Sequence, residues 1–191
     1  WTHVDAAWAG PLRLSERCAG LLAGIEGADS VAVSAHKWLF QPKESALVLF
    51  RETSHANKAI SFGAGYLALP NVGLLGSHGA TAVPLLATLL AFGRSGIAAR
   101  IERCLAQMEE FARRLDQQGG IELFAPPIAG VLAWRSSRVP TERLRTALPA
   151  GSTSLTTIEG EQWLRNVGAN PNADPAALAE QVRAAIEKLA G

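Results

Sequence analysis

The sequence predicts an α/β fold in which a mostly parallel sheet is followed by a smaller α/β domain. The first observation is a set of short apolar segments, predicted as strands near Val4, at residues 31–33 and, as a buried strand, at residues 45–51. The second is a change of pattern beyond a Gly-Gly pair, after which short strands and short helices alternate. We therefore assign residues 1–118 to a large domain and residues 119–191 to a small one.

The remaining elements of the large domain are read from caps and periodicity. A helix is predicted from Ser15, as its N-cap, to Gly27. The stretch from residue 52 to residue 76 has no lasting period and is predicted as a long loop that is functional or mobile. Apolar periodicity then predicts one helix over residues 76–92 and, after glycines that turn the chain, a second over residues 97–115.

The small domain is predicted to contain four strands and two helices. Thr141 and Asp174 are the expected N-caps of the helices, the first over residues 141–148 and the second running to the end of the chain. The strands are predicted at Ile121–Phe124, Val131–Trp134, Ser154–Ile158 and Trp163–Val167.

Composition excludes several classes of protein. The chain has 191 residues, of which 48% are hydrophobic, and a net charge of +1, so nothing favours binding to nucleic acid or to an anionic membrane. No apolar run approaches the roughly 20 residues of a membrane-spanning helix, and no signal peptide is recognised. Cys18 and Cys104 have no partner at ligand spacing, which indicates buried or free thiols in a reducing compartment. We expect a cytoplasmic protein.

Two polar residues follow two of the predicted strands. Asp5 comes after Val4, and Lys37 comes shortly after residues 31–33. Because parallel strands end at the same edge of a sheet, these side chains are expected on one carboxyl edge, where open α/β folds bind their ligands. Apolar surroundings disfavour the ammonium form of a lysine, and a neutral amine can form a Schiff base with a carbonyl. A surface lysine and a capping carboxylate are the alternatives.

These two segments resemble the group II pyridoxal phosphate-dependent decarboxylases of the aromatic amino acid, glutamate and diaminobutyrate type. Residues 3–10 read His-Val-Asp-Ala-Ala-Trp-Ala-Gly, and residues 36–38 read His-Lys-Trp. In that family the first motif is followed about thirty residues later by a strand that ends in His-Lys-Trp or His-Lys-Leu. Here Asp5 and Lys37 are 32 positions apart. The similarity is strong over residues 1–51 and looser over the rest of the chain.

The resemblance implies a fold type I enzyme and a role for five residues near the pyridoxal phosphate. Lys37 would bind the cofactor as a Schiff base, and Asp5 would keep its pyridine nitrogen protonated. Ala7 would lie against the ring, with a plain core alanine as the alternative. His36 would lie near the phosphate, with a hydrogen-bonded core histidine as the alternative. Ser34 stands where many members have Asn or Asp, and its hydroxyl can still donate to the phosphate.

Three further residues lie in or after the predicted loop. Tyr66, the only tyrosine, matches by position a tyrosine on the catalytic loop of aromatic amino acid decarboxylases. Its phenol would deliver the proton that replaces carbon dioxide; the alternative is an ordinary loop tyrosine. Ser77 and His78 open a predicted helix whose amides could bind phosphate, in a loop that in relatives can reach the neighbouring subunit. Relatives often have Arg at His78, and simple N-capping is the alternative for Ser77.

The resemblance also implies that this chain is the carboxyl-terminal part of an enzyme more than twice as long. The amino-terminal half would then be a removed segment or a separate polypeptide, and the completed unit would form a homodimer. The expected reaction is decarboxylation of an L-amino acid to an amine, and the substrate is not identified by the sequence. The alternatives are other fold type I chemistry, such as carbon–carbon lysis or decarboxylating oxidation, and a non-catalytic subunit or remnant.

Overall fold

The structure is a computed structural model that divides into two compact units. The described residues are 1–63, 65 and 79–191, with the backbone alone at residues 71–72. The units are Trp1–Ala98 and Ala99–Gly191. This division precedes the boundary predicted after residue 118, because the second half of a long helix packs into the core of the second unit. The assignment of residues 1–118 to a cofactor-binding domain stays a prediction.

The helices and strands of the described residues follow one another in this order: β1 (His3–Asp5), β2 (Ser30–Ser34), β3 (Ala46–Phe50), α1 (Thr53–Ile60), β4 (Ser61–Phe62), β5 (Asn71–Val72), α2 (Ala82–Asp116), β6 (Ile121–Leu123), β7 (Val131–Ser136), α3 (Thr141–Ala147), β8 (Ser154–Ile158), β9 (Glu161–Val167) and α4 (Pro175–Ala190). Short 3-10 helices lie at Gly10–Leu14, Ala19–Leu22, Ile25–Gly27 and Ile128–Gly130.

The first unit is built on a sheet of order β1-β2-β3. β1 runs parallel to β2, with Val4 opposite Val31, and β3 runs antiparallel to β2. The three predicted strands are therefore confirmed, but the prediction that β3 is buried is wrong. Two adjacent residues of β3, Val48 and Leu49, are 55% and 54% exposed. Consecutive residues of a strand point to opposite faces, so β3 exposes apolar side chains on both faces of the sheet.

Two predictions for the first unit need correction. The α-helix expected from Ser15 to Gly27 is replaced by turns and short 3-10 helices. Gly24 has a left-handed backbone (φ 90°), which an α-helix does not contain and which glycine adopts without strain. The loop expected from residue 52 contains α1, a helix of mostly polar residues in which only Ala56 is buried. With eight residues, of which Ala56, Ala59 and Ile60 are apolar, this helix is too short for a period to be recognised in the sequence.

α2 is interrupted as the sequence predicted, but it begins later than residue 76. Gly93 has non-helical backbone angles (φ 59°, ψ −176°), which confirms the predicted break between two helical segments. Contrary to the expectation from the sequence, one stretch of α2 has a mean hydropathy of 1.5. Within the described ranges, α2 is the single helix long and apolar enough to cross a membrane, by length and composition only.

The amino-terminal end of β2 is held by polar contacts. The Asp29 carboxylate accepts a hydrogen bond from the Thr2 amide (2.7 Å) and pairs with Arg51. The Thr2 hydrogen bond, together with Arg51, holds the pKa of Asp29 below its ordinary value, although partial desolvation opposes this. The Ser30 hydroxyl accepts from Trp1 Nε1 (3.0 Å). These bonds fix the start of β2 beside β1.

The second unit has a four-stranded antiparallel sheet of order β6-β7-β9-β8, which confirms the four predicted strands. One face of this sheet packs against α2, α3 and α4. The buried core consists of Met108, Phe111, Ala112, Leu115, Leu132, Trp134, Val139, Leu144, Leu148, Leu164, Ala179, Val182, Ala185 and Ile186. Asp174 caps α4 as predicted, because its carboxylate accepts from the amides of Ala176 and Ala177. Thr141 is not the N-cap of α3; Pro140 occupies that position.

A buried polar link fixes the register inside this core. Trp134 Nε1 donates to Asn166 Oδ1 (2.8 Å), and Asn166 Nδ2 donates to the Ser152 carbonyl oxygen (2.7 Å).

Cys18 and Cys104 are buried free thiols, as expected. Desolvation by burial raises the pKa of Cys104 to about 11, so its thiol stays protonated near neutral pH.

Candidate active site

The carboxyl ends of β1 and β2 form one edge of the first sheet. Asp5, the last residue of β1, lies opposite Ala32. The pairing continues beyond β1, because Ala6 N donates to the Ala32 carbonyl oxygen (2.9 Å) and Ser34 N donates to the Ala7 carbonyl oxygen (3.2 Å). Backbone pairing therefore brings Asp5, Ala7 and Ser34 together at this edge, where the sequence predicted Asp5 and Lys37.

Asp5 lies at the exposed rim of this edge. Its Oδ1 accepts a hydrogen bond from the Ala7 amide (3.0 Å), so the carboxylate caps the turn that follows β1. Capping was the structural alternative for Asp5. The two roles are compatible, because a carboxylate has two oxygens and several lone-pair positions. Ala7 is half-buried and presents only a methyl group.

Lys37 lies in the turn that follows β2, close to the same edge. The turn is closed by backbone bonds from Lys37 N to the Ser34 carbonyl oxygen (3.2 Å) and from Phe40 N to the Lys37 carbonyl oxygen (3.2 Å). A further bond joins Ala35 N to the carbonyl oxygen of Ser45, just before β3 (3.0 Å). The Lys37 side chain is half-buried rather than fully exposed. The lysine is thus carried by a turn with defined backbone geometry.

The His36 imidazole carries a buried polar atom whose partner is not found among the described residues. That atom is Nδ1. A buried ring nitrogen costs free energy unless it makes a hydrogen bond, so an orphan of this kind indicates a missing partner. The alternative was an ordinary core histidine with its hydrogen bonds made, but within the described ranges Nδ1 makes none.

Close packing holds the two strand ends together. Trp38 is fully buried and meets Trp8 edge-on, with ring centroids 5.0 Å apart. Gly10 lies against β2 so closely that a Cβ there would come within 2.7 Å of Val33 Cγ2. Only glycine permits this approach, which brings the segment after Asp5 down onto β2.

Three candidates lie outside the described residues, namely Tyr66, Ser77 and His78. Their roles stay predictions. The sequence analysis also missed a residue of this region: Gln41 is buried and donates two side-chain hydrogen bonds behind the Lys37 turn. The available signal was a polar residue in an otherwise apolar run between Lys37 and Pro42.

The groups at this edge fit the cofactor that the resemblance implies. The ends of two adjacent strands carry a half-buried lysine, a carboxylate and an imidazole nitrogen without a described partner. Ala7 and Ser34, at the same strand ends, are small. Lys37 can react with an aldehyde, Asp5 can accept a hydrogen bond from a protonated ring nitrogen, and His36 Nδ1 can bond to a polar group of a ligand.

Comparisons with known proteins give the family of the chain. Residues 1–137 match the family model described as the pyridoxal-dependent decarboxylase conserved domain. The L-2,4-diaminobutyrate decarboxylase of Rhizobium meliloti is 31% identical, in an alignment that covers 92% of this chain and 39% of the relative. The aspartate 1-decarboxylase of Aliivibrio fischeri is also 31% identical, over 70% of this chain and 25% of the relative. The chain thus spans between a quarter and two fifths of these relatives.

Solved structures show the same fold. The apo form of mouse CSAD superposes with a TM-score of 0.81 at 23% identity, covering 100% of this chain and 45% of that chain. Tryptophan decarboxylase from Catharanthus roseus superposes with a TM-score of 0.76 at 21% identity, covering 100% and 42%. The α/β architecture is therefore that of fold type I, as predicted. On the match over residues 1–137, the chain belongs to the pyridoxal-dependent decarboxylase family, whose cofactor is pyridoxal phosphate.

Proposed function

We propose that this chain is the carboxyl-terminal part of a cytoplasmic decarboxylase that uses pyridoxal phosphate to convert an L-amino acid into an amine. The observation that carries the proposal is the placement of Asp5 and Lys37 on the carboxyl edge of the paired strands β1 and β2. Ligands of open α/β sheets bind at such an edge. The family match gives the class of reaction that these two residues would serve.

The chemistry divides between the cofactor and the chain. When bound, pyridoxal phosphate supplies an electron sink that stabilises the electron pair left when the bond to the substrate carboxylate breaks. Lys37 would hold the cofactor through its side-chain nitrogen. Asp5 would keep a proton on the ring nitrogen by offering it a carboxylate oxygen. The half-buried methyl group of Ala7 would leave space for a flat ring, and His36 Nδ1 would gain a polar partner.

The other predicted residues complete the site. Ser34 has a half-buried side chain at the end of β2, where its hydroxyl can donate to a phosphate oxygen. Ser77 and His78 would contribute to phosphate binding, and Tyr66 would deliver the proton that replaces carbon dioxide. These assignments rest on the resemblance alone.

The apolar surface of the first unit supports a larger assembly. β3 exposes Val48 and Leu49 on opposite faces, and Leu90 on α2 is 77% exposed. Apolar side chains that are exposed in several places of one unit favour a surface that other parts of a larger protein cover. In the complete enzyme the amino-terminal half would cover these side chains, whether it is a separate polypeptide or is later removed from the same chain. Two completed units would then form a homodimer.

The experiment compares the complete enzyme with three single variants. Lys37→Ala should lose both the visible absorption band of the lysine-bound cofactor and the release of carbon dioxide from L-amino acids. Asp5→Ala should retain some cofactor and lose most activity, because the ring nitrogen loses its carboxylate. Lys43→Ala is the matched control, since Lys43 is an exposed lysine six residues further along the same connection.

Two results would refute the proposal. One is full decarboxylation by Lys37→Ala. The other is loss of the absorption band in Lys43→Ala rather than in Lys37→Ala. Aldehyde and ammonia in place of amine, or cleavage of a carbon–carbon bond with the carboxyl group retained, would assign a different reaction of the same fold. A complete enzyme that forms no lysine-dependent band would identify a non-catalytic chain.

A further inference from the structure

The connection between Lys37 and β3 contains a strained residue. Phe40 has a left-handed backbone (φ 56°), which is unfavourable for a residue with a side chain as large as phenylalanine. Such a conformation persists only where surrounding contacts hold it. Phe40 N is bonded to the carbonyl oxygen of Lys37 (3.2 Å), so the strained residue closes the turn that carries the lysine.

Gln41 supplies the contacts that hold this conformation. Its side chain is 8% exposed, and its Nε2 donates to the Leu39 carbonyl oxygen (2.6 Å), which spans the strained Phe40. The same nitrogen donates to Thr88 Oγ1 on α2 (2.9 Å). The orientation of the amide is defined, because a carbonyl oxygen can only accept. The backbone N of Gln41 donates to the Ala35 carbonyl oxygen (3.2 Å), so both ends of the residue tie the turn.

We propose that Gln41 is a positioning residue that fixes the Lys37 turn against α2 through Thr88. The inference rests on the proposed role of Lys37. The turn is attached to β2 at one end and to β3 at the other, and the Gln41–Thr88 hydrogen bond joins it to a third element 47 residues away. The half-buried Thr88 hydroxyl provides the acceptor. Without this bond the turn keeps its backbone closures but loses this side-chain link to α2.

The consequence concerns the reach of Lys37. A covalent contact with the cofactor requires the lysine nitrogen to stay at one position, and a shift of the turn changes that position directly. Gln41 touches neither the cofactor nor the substrate in this role. It acts by holding the backbone from which Lys37 extends, so its loss should increase release of the cofactor before it unfolds the protein.

The experiment uses the complete enzyme with pyridoxal phosphate and measures cofactor release, the pH midpoint of the visible band and the thermal midpoint of the apoprotein. Gln41→Met keeps an unbranched side chain of similar length and removes both donations. Loss of these buried hydrogen bonds should accelerate release roughly tenfold and displace the pH midpoint. Thr88→Val removes one bond and should give a smaller change, and Thr88→Ser, which keeps the hydroxyl, should restore wild-type values.

The matched control is Gln107→Met in the second unit. Gln107 Nε2 also donates twice to backbone carbonyl oxygens, of Pro171 (3.0 Å) and Ala173 (2.8 Å). This variant should lower the thermal midpoint as Gln41→Met does, but leave cofactor release and the pH midpoint unchanged. If Gln41→Met fails to fold, cofactor release from Thr88→Val is compared with that from Thr88→Ser. Faster release from Thr88→Val alone would support the role of the Gln41–Thr88 bond, and equal release would overturn it.

Equal release from wild type and Gln41→Met would overturn the role of Gln41 and leave the proposed function intact, as would equal acceleration by Gln107→Met. A wild-type enzyme without a Lys37-dependent band would overturn both.

Discussion

Replacement of Gly10 by alanine tests how the candidate site is packed. A Cβ at this position would lie 2.7 Å from Val33 Cγ2 and 3.4 Å from Ala6 Cβ. Ordinary carbon contacts begin near 3.4 Å, so one of the two segments must move by about 0.7 Å. Val33 is buried in the middle strand of the sheet, so its backbone is held by hydrogen bonds on both sides.

We expect Gly10→Ala to destabilise the protein by about 1–3 kcal/mol, the usual cost of an overpacked core. In the complete enzyme, which is larger than this chain, the thermal midpoint should fall by less than roughly 2–4 °C per kcal/mol. Gly20→Ala is the matched control, because no atom lies within 4 Å of a Cβ at Gly20 and its φ is not positive. The control should change the midpoint little.

The double variant with Val33→Ala identifies the cause. Val33→Ala removes both γ-methyl groups, including the one that the new Cβ would meet, so the two substitutions should cost less together than the sum of their separate effects. The assay is thermal unfolding of the complete enzyme, with cofactor retention measured on the same samples. Additive effects, or a Gly10→Ala midpoint equal to that of Gly20→Ala, would show that the close approach at Gly10 does not limit packing.

Three further outcomes are expected. Asn166→Leu leaves Trp134 Nε1 and the Ser152 carbonyl oxygen without their partners, which should cost about 2–4 kcal/mol in denaturant unfolding, whereas the exposed Asn172→Leu should cost little. Hydrogen bonds from Arg113 and Arg114 lower the pKa of Glu110 from 4.5 to about 2, so its contribution to stability is present above pH 4.5 and is lost as the pH falls toward 2. Stability measured across that window should fall less steeply in Glu110→Gln, and an unchanged slope would contradict the ion pairs. Tyr66→Phe should keep carbon dioxide release under air while amine yield falls and peroxide rises; an unchanged amine yield would assign the proton to another donor.

Local signals in the sequence were sufficient for several elements. β8 has the predicted bounds, and α4 begins after Asp174, whose carboxylate caps it. Alternating apolar residues and a capping side chain act over a few positions, so they can be read without the rest of the fold. The break of α2 at Gly93 is of the same kind, since only glycine adopts its backbone angles without strain.

Local composition misled where the chain contains several glycines and where a strand has uncovered faces. Residues 15–27 carry apolar side chains at helical spacing, but Gly24 adopts a left-handed conformation that excludes a continuous helix. Residues 46–50 have the apolar composition of a buried strand, yet burial depends on which layers cover the sheet. α1 was missed because its eight residues are too few to establish a helical period in the sequence.

The sequence by itself determined which residues could do chemistry here: a carboxylate after one strand and a lysine after another, 32 positions apart in a family motif. Their convergence was decided by the parallel pairing of β1 with β2, a set of backbone bonds between residues far apart in the chain. The Gln41–Thr88 and Trp134–Asn166 hydrogen bonds were likewise decided by tertiary structure. A donor and its acceptor carry no mark of each other in the sequence, because only the packed chain brings them within bonding distance.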